Sequence, residues 1–100
     1  MSADDLFPVY GRSSGLPMNI VIGGDGVYVQ MDHRERFDRD RLVRVSIEAN
    51  DPLTEARALL DATDLDLVRR YIALNRAAIM DHGRGLTDGL ELAAALERLP

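Results

Sequence analysis

The chain has no cysteine and no tryptophan among its 100 residues, and only two histidines, two phenylalanines and three tyrosines. Without cysteine there are no disulfides, thiolate metal sites or cysteine nucleophiles, and that usage agrees with an expected cytoplasmic location. Lysine is absent too: all 12 basic residues are arginine, which rules out lysine Schiff bases and Walker-type phosphate loops. A GC-rich coding bias produces the same preference without any function. No apolar run approaches the ~20 residues of a bilayer span, so no membrane association is expected. The first residues carry Asp4 and Asp5 where a secretory signal would be basic.

What is present is the material of one ordinary domain. Hydrophobic residues make up 46% of the chain, and this length buries enough surface for a core without staples. The net charge of −5 has no basic half to offset it: both residues 1–50 and residues 51–100 carry more acids than arginines. A nucleic-acid partner is therefore not expected, because generic binders present a positive field.

Residues 1–17 are rich in proline, glycine and serine and read as an irregular arm. Residues 18–31 carry the clearest local signal, two apolar alternations around Gly23-Gly24-Asp25-Gly26. If Ile22 faces Val27, then Ile20 faces Val29 and Met18 faces Met31 on one side of a hairpin. The other side, with Asn19 and Val21 against Tyr28 and Gln30, is half polar and suits a wetter face. Residues 42–48 alternate again and predict a third strand. A short helix is expected near 53–60, behind Asp51 and Pro52.

Residues 64–82 predict one amphipathic helix. At about 100° per residue, Leu65, Leu67, Val68, Tyr71, Ile72, Leu74, Ala78 and Ile79 gather on a wide arc, with Asn75 inside it and His82 close to the same line. Thr63 is the expected cap and Gly83 the expected stop. A last helix opens at Thr87 and Asp88 and carries Leu92, Leu96 and Leu99. An asparagine on an apolar arc must find partners, so Asn75 is expected to bond an open backbone group of a neighbouring segment. The functional alternative is a small pocket formed by Tyr71, Asn75 and His82.

The triplet Gly23-Gly24-Asp25 resembles the start of the signature of cyclic-dinucleotide synthases, but Gly26 stands where that family carries a catalytic acid. A tight turn explains these glycines. Residues 32–41 hold nine ionisable side chains in ten positions. Solvated, mutually neutralising charges are the simpler reading. As a recognition loop it would offer His33, Arg34, Arg36, Arg39 and Arg41 for carboxylates or phosphates, with Phe37 as an aromatic anchor. His33 and His82 could also converge with Asp32 or Asp81 on an acid–base or metal site, although no HExxH or HxH spacing is present.

From residue 64 to 99, the run Leu67-Val68-Arg69-Arg70-Tyr71-Ile72-Ala73-Leu74-Asn75-Arg76, followed by Asp88 and Leu90-Glu91-Leu92, resembles the end of short uncharacterised bacterial proteins. Those often have a tryptophan where His82 stands. The resemblance implies a helical hairpin and carries no activity, cofactor or ligand.

These readings combine into an α+β domain spanning residues 1–100, a three-stranded antiparallel meander packed by two or three C-terminal helices. Exposed sheet edges and the wide helical arc predict self-association as a homodimer. The leading functional expectation is a non-enzymatic protein–protein interaction or regulatory module of a bacterium, with no catalytic residues, metal or cofactor assigned. A small-ligand or metal-dependent enzyme using His33 and His82, and an acidic partner in a toxin–antitoxin or anti-defence pair, are the alternatives.

Overall fold

Alternating apolar residues on either side of a glycine turn build the centre of the sheet. In a computed structural model, which describes residues 6–48 and 50–100, β1 (Phe7–Val9), β2 (Ile20–Ile22), β3 (Val27–Gln30) and β4 (Leu42–Val45) form one antiparallel sheet in the order β1-β2-β3-β4. The hairpin register is the one its alternation demands, with Ile22 opposite Val27 and Ile20 opposite Val29. The Gly23 amide donates to the Gly26 carbonyl across the turn at 2.9 Å. Gly26 has φ 155° and a Cβ there would lie 3.1 Å from the Val45 carbonyl oxygen, so the position favours glycine on two counts.

The helices are α1 (Gly11–Ser14), α2 (Thr54–Leu59), α3 (Ala62–Leu74), α4 (Arg76–Gly83) and α5 (Gly89–Ala95). One sheet face, carrying Val9, Ile20, Ile22, Val27, Val29, Val43 and Val45, is buried with Ala56, Leu65, Val68, Tyr71, Ile72, Ile79 and Leu92 of the helices in a common core. Tyr71 is 1% exposed, and burial pushes its phenol up to about 12. Among the described residues no helix is long and apolar enough to cross a membrane.

The α+β class is as expected, but the meander has four strands rather than three. The added strand comes from the segment expected as an irregular arm; Met1 to Asp5 of that arm lie outside the described residues. Pro8 pairs with Val21, and proline is tolerated there because β1 is an edge strand needing no donor on its free side. The third strand of the hairpin reading ends at Val45 instead of residue 48. Ser46 Oγ accepts from the Glu48 amide at 3.0 Å and Arg76 donates to the Ile47 carbonyl at 2.7 Å, so the chain turns off the ladder.

The helix expected over 64–82 is divided at Asn75, which has φ −110° and ψ 15°. The break is a kink rather than a loop, since Asn75 N–H still reaches the Tyr71 carbonyl and Ile79 N–H the Asn75 carbonyl, both at 3.0 Å. Its cause is tertiary. Asn75 Nδ2 donates to the carbonyls of Tyr71 (3.1 Å) and Glu97 (3.0 Å), and its Oδ1 accepts from the Glu97 amide at 2.6 Å. One side chain thus pairs with the C-terminal segment as a strand would. Leu74, expected on the apolar arc, is exposed to solvent just before the kink.

Helix ends follow local chemistry. Asp88 and Glu91 form a reciprocal capping box at α5. Asp61, not Thr63, caps α3 by accepting from the Thr63 amide at 2.8 Å. Gly83 closes α4 inside the helix, where a Cβ would lie 2.9 Å from the Gly24 carbonyl oxygen; the left-handed residue of that turn is Gly85. Asp51 accepts from Leu53 N at 2.8 Å, and α2 begins one residue later.

Replacing Asn75 by alanine leaves a backbone donor and acceptor of Glu97 without partners. The expected loss is about 2 kcal/mol, or a fall in Tm on the order of 10 °C for a domain of this size. Amide exchange at Glu97 and Leu99 should accelerate more than at Val29. Equal acceleration everywhere, or none, would contradict the fastening role.

Candidate functional site

The second face of the sheet carries Asn19, Val21, Tyr28, Gln30, Leu42 and Arg44, and it is divided in two. Its polar half is roofed by the charged loop. Gln30, with no exposed surface, donates through Nε2 to Asp32 Oδ1 (2.7 Å) and to the carbonyls of Arg34 and Arg36 (both 3.2 Å), and its Oε1 accepts from the Asp38 amide at 3.0 Å. Asn19 Nδ2 reaches the Glu35 carbonyl at 2.9 Å while its Oδ1 accepts from Gly11 N at 3.0 Å. Two buried amides therefore fold the loop as a ladder would.

The apolar half stays open. Leu6, Pro8, Tyr10, Val21, Tyr28, Phe37, Arg39 and Leu42 line a cleft of ≈ 620 Å³. Asp38 accepts from the Asp40 amide and opens a 3-10 turn over Arg39–Arg41, which leaves Phe37 and Arg39 at the loop's edge over the cleft. Phe37 meets Tyr10 edge to face at 6.0 Å and 89°, a favoured aromatic geometry. The Arg12 guanidinium lies over the Tyr10 ring, 4.9 Å from its centroid. At the far end the Tyr28 hydroxyl donates to the Asp25 carboxylate at 3.0 Å. Burial, and then Asp25, raise the Tyr28 phenol above its ordinary value, so the ring enters the cleft neutral.

The charges around this cleft are unevenly neutralised. Arg34 and Arg41 approach Asp32 at 3.8 Å, Arg41 approaches Asp38 at 3.6 Å, and Arg44 approaches Asp25 at 3.5 Å while also donating to the Asp25 carbonyl. Arg12 and Arg39 make no ion pair among the described residues. Asp32 is held below the usual carboxylate range first by the Gln30 amide and then by the Arg34 backbone amide and the charges of Arg34 and Arg41.

Of the residues expected at a binding loop, Phe37 and Arg39 line the cleft. Arg34 and Arg36 give their carbonyls to Gln30, and Arg41 is taken up by Asp32 and Asp38. His33 leaves the loop to meet Asp64 in the first turn of α3, Nε2 to Oδ2 2.8 Å, whereas His82 sits in α4 with its ring 6.4 Å from that of Phe7. Tyr71 faces the core and Asn75 is committed to Glu97. Among the described residues no three His, Asp or Glu side chains are grouped to hold a metal. Leu6, Pro8, Tyr10, Val21, Tyr28 and Leu42 were not singled out by sequence; the apolar members of the hairpin's second face, Val21 and Tyr28, were the available signal.

Protein-family models, curated proteins and solved structures were all compared with the chain, and none matches it.

Gln30→Leu keeps the bulk and removes the amide. It should destabilise the protein by roughly 1–3 kcal/mol and speed amide exchange across residues 31–41 while sparing β2. Acid should act on the same loop. Because the folded Asp32 pKa is lowered, its contribution is complete above the ordinary carboxylate value and fades as pH falls through the lower, folded one. Asp32→Asn should flatten that acid dependence, read from the Asp38 amide resonance; an unchanged titration would refute the linkage.

Proposed function

We propose that this chain is a non-enzymatic protein–protein interaction module that receives its partner on the open half of the sheet's outer face. The observation that carries the reading is the cleft itself, an apolar surface holding three of the chain's five aromatic residues. Apolar residues gathered in one cleft and rimmed by polar ones support an interaction site, and tyrosine, phenylalanine and arginine are among the residues enriched at protein–protein interfaces. The helical layer supports the reading less well. Leu65, Val68, Tyr71, Ile72 and Ile79 are already buried within one chain, so the arc that suggested a homodimer is consumed by the fold. Nor does the histidine alternative gain support, since Asp64 holds His33 at the start of α3 and His82 lies near the end of α4.

Site-specific photo-crosslinking in the producing cell tests the proposal. A benzophenone side chain at Phe37 or Tyr28 should give a discrete adduct, and one at exposed Ala73 of α3 should not. Val21→Arg, or Tyr28→Ala where the arginine impairs folding, should abolish the Phe37 adduct while preserving the circular dichroism spectrum. An adduct from Ala73 alone, or none from the cleft, would reject the outer face as the docking surface.

A further inference from the structure

Resting on that interaction reading, the geometry points to a partner segment of defined chemistry: a short apolar stretch carrying a carboxylate, with its apolar side chain in the cleft and the carboxylate on Arg39 and Arg12. Two independent observations select it. The first is size. The sheet has four strands of three or four residues. Interstrand spacings of about 4.8 Å and a rise of about 3.3 Å per residue make its face roughly 14 Å by 10–13 Å, and the loop already covers the polar half. A stable globular partner, a second copy included, covers about 800 Å² per side. The open half is well short of that and fits a few residues of chain.

The second observation is charge. Arg39 is the one charged residue lining the cleft. Among the described residues Arg34, Arg41 and Arg44 each approach an acid, whereas Arg12 and Arg39, the two beside the Tyr10–Phe37 pair, approach none. A guanidinium with free donors next to an apolar, partly dehydrated surface favours a carboxylate over water, and the planar fork allows two parallel hydrogen bonds. In a chain of net charge −5, two cations beside the aromatic wall with no acid on them among the described residues give an acidic segment a local place to bind.

A random dodecapeptide phage library, selected on the wild-type protein and counter-selected on Val21→Arg, tests this. Enriched peptides should pair Leu, Ile, Phe or Trp with Asp or Glu within about one helical turn or three extended residues. A synthetic copy of the leading peptide, followed by fluorescence anisotropy, should bind about tenfold more weakly after Glu→Gln in the peptide or Arg12→Gln with Arg39→Gln in the protein. Enrichment of peptides without acids, or indifference to the arginine replacements, would overturn the inference while leaving the interaction module standing. No enrichment beyond the Val21→Arg control would overturn both. Sedimentation of a concentration-dependent dimer that Val21→Arg dissolves would replace the peptide by a second copy.

Discussion

Backbone groups withdrawn from water must keep hydrogen-bond partners, and in this fold three buried side-chain amides supply them to segments that lie outside the sheet ladder and the helices. Asn19 joins α1 to the charged loop, Gln30 gathers the loop onto the sheet, and Asn75 anchors the C-terminal segment to the helical layer. Each serves as both donor and acceptor, which a hydroxyl or carboxylate cannot do with the same reach. The strands are three or four residues long and form too small a ladder to organise 100 residues alone. The amides extend that order to irregular chain.

The same constraint shapes the candidate site. Because Gln30 and Asn19 draw residues 31–38 over the polar half of the outer face, the loop ends where the sheet's apolar half begins. Phe37 is thereby carried to Tyr10, and Arg39 to the cleft rim. The salt bridges of the loop are exposed pairs of small individual worth; the loop is held by buried amides. Asp32 belongs to both systems, receiving the Gln30 amide at one oxygen while Arg34 and Arg41 lie near the other.

What was legible in the sequence was what local chemistry determines. The β2–β3 register followed from alternation around a glycine turn, and the opening of α5 followed from Asp88, the cap expected there with Thr87. β1 was hidden because three residues with a central proline have no readable period. The kink at Asn75 was hidden for a different reason: apolar periodicity runs straight through residue 75, and the bend is imposed by Glu97, 22 residues away. The amide's need for a backbone partner was readable; which partner it takes depends on tertiary packing. Phe37 and Arg39 were candidate binding residues by type, but their joining with Val21 and Tyr28 into one surface required the loop's path.

The distribution of aromatic residues bears on whether that surface is incidental. A buried ring removes 150–250 Å² from water, more than most other side chains, so a small domain under selection for stability alone would place its few rings inside. Here only Tyr71 is fully enclosed, while Tyr10, Tyr28 and Phe37 frame the cleft. The core is built mainly from valine, isoleucine and leucine, which fill the space between a narrow sheet and short helices without them. Rings left outside a sufficient core stabilise the free protein less than they would inside it, and their apolar area remains available to a partner. That separation, aliphatic side chains for folding and aromatic ones for the outer face, is the physical ground for the proposal that the open half of the sheet receives a partner.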